Sequence, residues 1–242
     1  MKHAVRAVFF DLGNTLMFDR DPWADLYQRA DDELWNSLQK AGVRSSPGEL
    51  YPGENSLFHY YYKLRANDLD EPGIMPTLRQ LLDEHDIKIS DPDLRSAIRS
   101  MYEVTQTNWY PEEDAAPTLQ ALRESGLRLG IISNGADDDN TITLIDKGNL
   151  GSFFDVVISS AAVGKRKPDP LIFQTALDHF RLPAEAAVMI GDSYEADILG
   201  GHQAGLQTVW ITRRINPVLI AYDIEPDATV ATLVEIPSLL AA

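Results

Sequence analysis

Five short apolar runs, at residues 7–10, 127–132, 156–158, 187–190 and 208–211, constrain the fold more than any other feature of this 242-residue sequence. They are continuous, without the apolar/polar alternation of a half-exposed strand, which is the pattern of strands buried on both faces of a parallel sheet. The stretches between them are long enough for helices, so the expectation is an α/β layered fold. After the first, second and fourth runs the chain turns polar at once, giving Asp11, then Ser133-Asn134, then Asp192-Ser193. The carboxyl ends of strands in an open parallel sheet face the ligand crevice, so these groups are expected to converge at one edge.

Residues 17–113 read differently, with helical apolar spacing, many aromatics and no strand-like run. Leu26, Leu34 and Leu38 with Trp35 place a helix after Asp21-Pro22, and Leu78, Leu81 and Leu82, then Leu94, Ile98 and Met101, place two more. The expected organisation is therefore an α/β core from residues 1–16 and 114–242 with an all-helical domain inserted at 17–113. Its joints are expected at the turn-rich, polar residues 19–22 and 110–113. The acidic run Asp137-Asp138-Asp139 reads as a solvated helix start favoured by the macrodipole, because three adjacent residues cannot all face one ion.

Charge narrows the partners. Lys and Arg number 21 against 37 Asp and Glu, a formal net charge of −16. Such a field repels nucleic acid and anionic membrane surfaces, so neither is an expected partner, and an anionic substrate would need a metal ion or a few placed cations. The absence of cysteine excludes a disulfide framework, thiolate zinc sites and a thiol nucleophile. No apolar run approaches the ~18–20 residues of a membrane span and the first residues lack a signal-peptide core, so a cytoplasmic location is the default expectation. Oligomeric state is not legible.

The candidate site begins with Asp11, a carboxylate at a strand end beside Leu12-Gly13-Asn14-Thr15, a loop whose free backbone N–H groups can bind an oxyanion. Taken alone, Asp11 could equally cap a turn. Ser133 and Asn134, followed by Gly135, offer a hydroxyl and backbone donors at the same edge, although alone they are an ordinary strand-to-helix turn. Asp192 stands at a strand end and Asp197 about one turn into a helix. Three carboxylates gathered at one place repel strongly unless one is protonated or a cation sits among them. Oxygen-only ligands point to Mg²⁺, which takes one or two carboxylates plus a substrate phosphate. Residues 164–170, Gly-Lys-Arg-Lys-Pro-Asp-Pro, supply cations on a proline-constrained loop before a helix at about 171–180, an exposed basic turn being the alternative for Lys165 and Arg166.

Four ordered segments together resemble the motifs of the haloacid dehalogenase-like hydrolase superfamily. They are Asp11-Leu12-Gly13-Asn14-Thr15-Leu16, Ile131-Ile132-Ser133-Asn134-Gly135, Lys167-Pro168-Asp169-Pro170 with Ile172-Phe173, and Gly191-Asp192-Ser193 with Asp197. The resemblance implies a Rossmann-like parallel sheet flanked by helices, with residues 17–113 as the family's inserted helical cap. It implies Asp11 as the nucleophile that becomes an aspartyl phosphate, Ser133 hydrogen-bonded to the phosphoryl oxygens, and Lys167 neutralising both nucleophile and phosphate. It further implies Mg²⁺ held by Asp11, the Gly13 carbonyl, Asp192 and, through water, Asp197. Gly13, Asn14, Thr15, Ser133, Asn134 and Lys167 would line the phosphate pocket. The reading is a Mg²⁺-dependent hydrolase of a small phosphorylated metabolite.

Gly13 breaks the pattern. Phosphatases of the family carry a second Asp two positions after the nucleophile, which protonates the leaving alcohol and later activates water. General acid–base help is typically worth ~10² to 10⁴ in rate, so its absence should slow poor leaving groups most. Asn14 cannot replace it, and His59 is one remote candidate. Two other readings stay open: a 2-haloacid dehalogenase, although those relatives dispense with the metal and carry a tyrosine where Gly13 stands, and a non-catalytic phosphate-binding module. A phosphonate hydrolase would need a cap lysine for a Schiff base, and Lys63 has no feature that assigns it. Residues 59–65, with Trp23 and Arg20, are candidate substrate selectors, but at helical spacing they read first as packing.

Overall fold

A computed structural model of the chain describes Met1, residues 3–215 and residues 224–241. The chain divides into two compact units, one formed by Met1–Asp19 with Tyr110–Ala242 and the other by Arg20–Trp109.

The first unit is built on a six-stranded sheet. The strands among the described residues are β1 (Ala7–Phe10), β2 (Met17–Asp19), β3 (Trp109–Pro111), β4 (Arg128–Ser133), β5 (Val156–Ser159), β6 (Ala187–Gly191), β7 (Gln207–Ile211) and β8 (Ala228–Val230). The sheet order is β5-β4-β1-β6-β7-β8 and every neighbouring pair is parallel. This is a Rossmann-like layered fold. The five apolar runs supply β1, β4, β5, β6 and β7, and all four residues of β1 are fully buried. Phe9 of β1 stacks on Phe180 with ring centroids 5.2 Å apart, and the Arg128 guanidinium lies 4.0 Å from the Phe180 centroid. Burying each such phenyl ring contributes about 1.5–3 kcal/mol.

Strand order and register together make the site. The chain leaves β1 for β4 and β5 on one side, then returns to place β6, β7 and β8 on the other, so the order reverses at β1, where ligands bind in open α/β sheets. Phe10 stands level with Ile131 on one side and Ile190 on the other. Asp11 therefore emerges at the same height as the ends of β4 and β6, its N–H donating to the Ile190 carbonyl at 2.9 Å.

Three elements depart from the expectations. The 17–113 segment was expected to hold no strand, but its ends carry β2 and β3, which pair as a two-stranded sheet. The units accordingly divide at 19/20 and 109/110. Edge strand β8 was not anticipated either. Each of these strands has three residues, too few to show a period or a run.

The second unit is all-helical: α1 (Trp23–Lys40), α2 (Pro47–Leu50), α3 (Leu57–Leu64), α4 (Ile74–Glu84) and α5 (Asp91–Gln106). The expected apolar stripes are its core, with Leu34 and Leu38 of α1, Leu78 and Leu82 of α4, and Leu94 and Met101 of α5 buried. Ser90 caps α5 by accepting from Asp93 N. Among these helices sits a buried carboxylate, Asp31, which accepts from Leu57 N at 2.7 Å and from the Tyr51 hydroxyl at 2.9 Å, while Tyr51 accepts from Trp35 Nε1. Burial pushes the Asp31 carboxyl above the usual aspartate range against the pull of Leu57 N–H and Tyr51. An acid raised in the folded state stabilises at low pH and loses that contribution as pH climbs through its folded value. Thermal melts from pH 4 to 7 should therefore show the Tm of Asp31→Asn rising relative to wild type with pH, and the opposite slope would contradict the assignment.

Candidate active site

Asp11, Asp192 and Asp197 meet at the carboxyl edge of the sheet, each offering an oxygen within 4.8 Å of the others'. Asp11 is fixed by β1 and by the tight turn that follows, in which Leu16 N and Met17 N both donate to the Leu12 carbonyl. The left-handed residue of that turn is Asn14, at φ 54°. Thr15 is wholly buried and its hydroxyl has no hydrogen-bond partner among the described residues. Ser133 is the last residue of β4 and is 8% exposed, level with Ser159 of β5.

Asp192 follows β6 directly, and its carbonyl accepts from the indole N–H of the buried Trp210 at 2.8 Å. Asp197 lies in a π-helical turn, Tyr194–Leu199, where both Asp197 N and Ile198 N donate to the Ser193 carbonyl. Such turns recur at functional sites because the extra residue per turn redirects a side chain. Asp197 is fully buried, its Oδ2 accepting from Ser193 N at 3.0 Å. A Cβ at Gly191 would overlap the Asp197 carboxylate, so the residue before Asp192 has to be glycine for Asp197 to fold back over the strand end.

Lys167 is the cation of the site. Its ammonium donates to Asp11 Oδ1 at 2.7 Å, Asp197 Oδ1 at 2.6 Å and the Ile132 carbonyl at 2.7 Å, three acceptors for three hydrogens. Its side chain is 1% exposed. Burial alone would lower its affinity for a proton, but Asp11 and Asp197 outweigh burial and hold it above the ordinary lysine range. For Asp192 and Asp197 the balance goes the other way. Burial, then Asp11 and Asp197, push Asp192 up against the pull of Lys167, and burial pushes Asp197 up despite its contact with Lys167. One cation among three carboxylates leaves the cluster short of positive charge. An all-oxygen donor set with unbalanced negative charge fits a hard divalent cation.

The basic loop contributes one residue to this cluster, Lys167. The Asn134 side-chain amide is bonded to the main chain of Lys167, Oδ1 accepting from Lys167 N at 2.7 Å and Nδ2 donating to Lys167 O at 3.0 Å. The three hydrogen bonds of the Lys167 ammonium go to protein acceptors, which sets its charge beside Asp11. Gly200 was missed: a Cβ there would lie 2.9 Å from Pro168 Cα, so the helical turn after Asp197 packs directly on the Lys167 loop. The paired glycines Gly200-Gly201 within a helical stretch were the available signal. Asp137 caps the helix Asp138–Lys147 by accepting from Asn140 N at 2.8 Å, so the acidic run is a helix start.

Within the helical unit the other candidates are engaged locally. His59 Nδ1 lies 2.9 Å from Ser56 Oγ. Tyr61 is fully buried and bonds Glu71, which also holds Arg65 at 2.6 Å. Lys63 pairs with Glu54 at 2.6 Å with its side chain 76% exposed, and that hydrogen bond raises its affinity for a proton. A Schiff-base lysine needs the reverse, a desolvated amine with lowered affinity.

Comparison with known proteins agrees with this geometry. The family model described as haloacid dehalogenase-like hydrolase matches residues 5–205. A glyceraldehyde 3-phosphate phosphatase of Pyrococcus abyssi is 30% identical over 213 residues, covering 85% of this chain and 81% of that protein. A phosphoserine phosphatase of Thermus thermophilus is 38% identical over 108 residues, but these span only 45% of this chain and 42% of the relative. Among solved structures, a 2-haloacid dehalogenase from Pseudomonas syringae pv. Tomato DC3000 superposes with a TM-score of 0.67 at 26% identity, covering 98% of each chain.

Proposed function

Since the chain belongs to the haloacid dehalogenase-like hydrolases, we propose that it is a Mg²⁺-dependent phosphatase of small phosphorylated metabolites, with Asp11 as nucleophile. The observation that carries this reading is the convergence of Asp11, Asp192 and Asp197 around one point with Lys167 as their only ammonium contact among the described bonds. A phosphate dianion cannot approach three carboxylates unless their charge is neutralised. Asp11, Asp192 and the Gly13 carbonyl would hold Mg²⁺. Asp197, whose oxygens already accept from Lys167 and Ser193 N, would reach it through water. Bound there, the ion would neutralise charge on the phosphoryl oxygens.

The protein's own groups do the rest. The Asp11 carboxylate attacks phosphorus, the bond from phosphorus to the leaving oxygen breaks, and an aspartyl phosphate forms. Water then attacks that phosphorus, releasing phosphate and restoring the carboxylate. Lys167 holds Asp11 in place through the 2.7 Å contact of its ammonium with Oδ1. Ser133 and the N–H groups of the loop at 12–15 receive the phosphoryl oxygens. The helical unit, inserted between the first and second motifs, takes the part of the family's cap. The closely similar phosphatases act on small phosphate esters by name, which supports a small metabolite as substrate.

Hydrolysis of p-nitrophenyl phosphate by the purified protein should require Mg²⁺, falling at least about 10²-fold with EDTA and returning when Mg²⁺ is restored. Activity indifferent to the chelator would defeat the proposal. Two other readings have their own signatures. Chloride released from 2-chloropropionate without added metal would identify a dehalogenase, while phosphate binding with no turnover on either substrate would identify a binding module.

A further inference from the structure

A lysine carries its ammonium on a flexible four-carbon stem, so placing Nζ to within a few tenths of an ångström demands that main chain and head both be held. Lys167 is held in this way by one strand end. Its ammonium donates to the Ile132 carbonyl at 2.7 Å. Its main chain is gripped by Asn134 through two parallel bonds, 2.7 Å from Lys167 N to Oδ1 and 3.0 Å from Nδ2 to Lys167 O. Ile132 and Asn134 flank Ser133, the last residue of β4, and lie more than thirty positions before the lysine they hold. From the other side Gly200 packs against Pro168 with no room for a side chain.

From these contacts we infer that Asn134 is a positioning residue: its amide anchors the Lys167 main chain to the end of β4, and thereby sets the Lys167 Nζ–Asp11 contact on which the nucleophile's orientation depends. The inference rests on the role proposed above for Lys167, and gives the Asn134 side chain no contact with substrate. A carboxamide suits the task because one group donates and the other accepts, and because it is neutral. Aspartate would accept from Lys167 N–H but repel the carbonyl, and would add a fourth negative charge beside Asp11, Asp192 and Asp197. Alanine would leave a buried N–H and C=O without the partners seen here.

The test uses the full chain with Mg²⁺ and has two readouts. In Asn134→Ala, hydrogen–deuterium exchange resolved to single residues should show the Lys167 amide exchanging at least about tenfold faster, while the amides of β1 and β6 keep their protection. Unchanged exchange at Lys167 would overturn the inference. On p-nitrophenyl phosphate, kcat should fall about 10-fold or more with KM within about threefold, since binding contacts are intact. The combined variant Asn134→Ala/Lys167→Ala should be no slower than Lys167→Ala alone. Losses that multiply, or a change confined to KM, would show that Asn134 acts on substrate directly and would overturn the inference. If the alanine variant fails to fold, Asn134→Ser, whose hydroxyl and a bridging water can satisfy the freed groups without holding them rigidly, is read against the same outcomes. The exchange measurement needs no turnover, so a wild-type protein inactive on every phosphate ester would remove the proposed function while the anchor at Lys167 is still decided.

Discussion

Asp11→Asn is expected to abolish p-nitrophenyl phosphate hydrolysis, lowering kcat by at least about 10⁴-fold, the scale seen when a covalent nucleophile is removed. The loss should come without loss of fold. Asp11 is one of three carboxylates crowded within 4.8 Å, and replacing it with a neutral isostere relieves repulsion on Asp192 and Asp197. Lys167 keeps two of its three acceptors, Asp197 and the Ile132 carbonyl. The variant's Tm without added metal should therefore equal or exceed that of wild type. A variant retaining more than about a hundredth of wild-type kcat, where the usual loss is far larger, would remove Asp11 from the role of nucleophile. Acid quench of radiolabelled substrate with the wild-type enzyme should, on the same reasoning, trap label on the peptide containing residue 11.

Gly13→Asp is expected to act in the opposite direction, and selectively. With glycine two positions after Asp11, the proposed mechanism has no carboxyl at the place where the family resemblance implies a general acid. An aryl leaving group departs as a stabilised phenolate and needs little help, whereas an alkoxide needs a proton as its bond to phosphorus breaks. Turnover of an alkyl phosphate such as glycerol phosphate should rise about 10²-fold, the lower end of what a positioned acid contributes. Turnover of the aryl ester should change by less than about threefold. The backbone at this turn admits a side chain more readily than the next residue would, because the left-handed conformation falls on Asn14 and not on position 13. Equal gains on both esters, or none, would mean that the proton is delivered from elsewhere or that glycine serves the geometry of the loop.

The fold class was legible because it rests on local signals. Continuous apolar runs separated by helix-length segments leave a parallel sheet as the economical way to bury both faces of each strand, and β1, β4, β5, β6 and β7 formed where the runs lay. Helices α1, α4 and α5 formed on their leucine stripes for the same reason. Strands β2, β3 and β8 were not legible. At three residues apiece their side-chain pattern carries no period, and partners distant in the chain define them.

The candidate site divides along the same line. Sequence determined which charged groups would stand at strand ends, because a polar residue that stops an apolar run has nowhere else to go. Asp11, Ser133, Asp192 and, through its motif, Lys167 were all readable in this way. Only tertiary structure decided what each group faces. That Lys167 meets Asp11 and Asp197, that Asn134 turns its amide onto Lys167, and that Gly200 must lack a side chain follow from close approaches between segments far apart in the chain. Distance between such segments is set by sheet register and packing, quantities that belong to pairs of elements and are written in neither one alone.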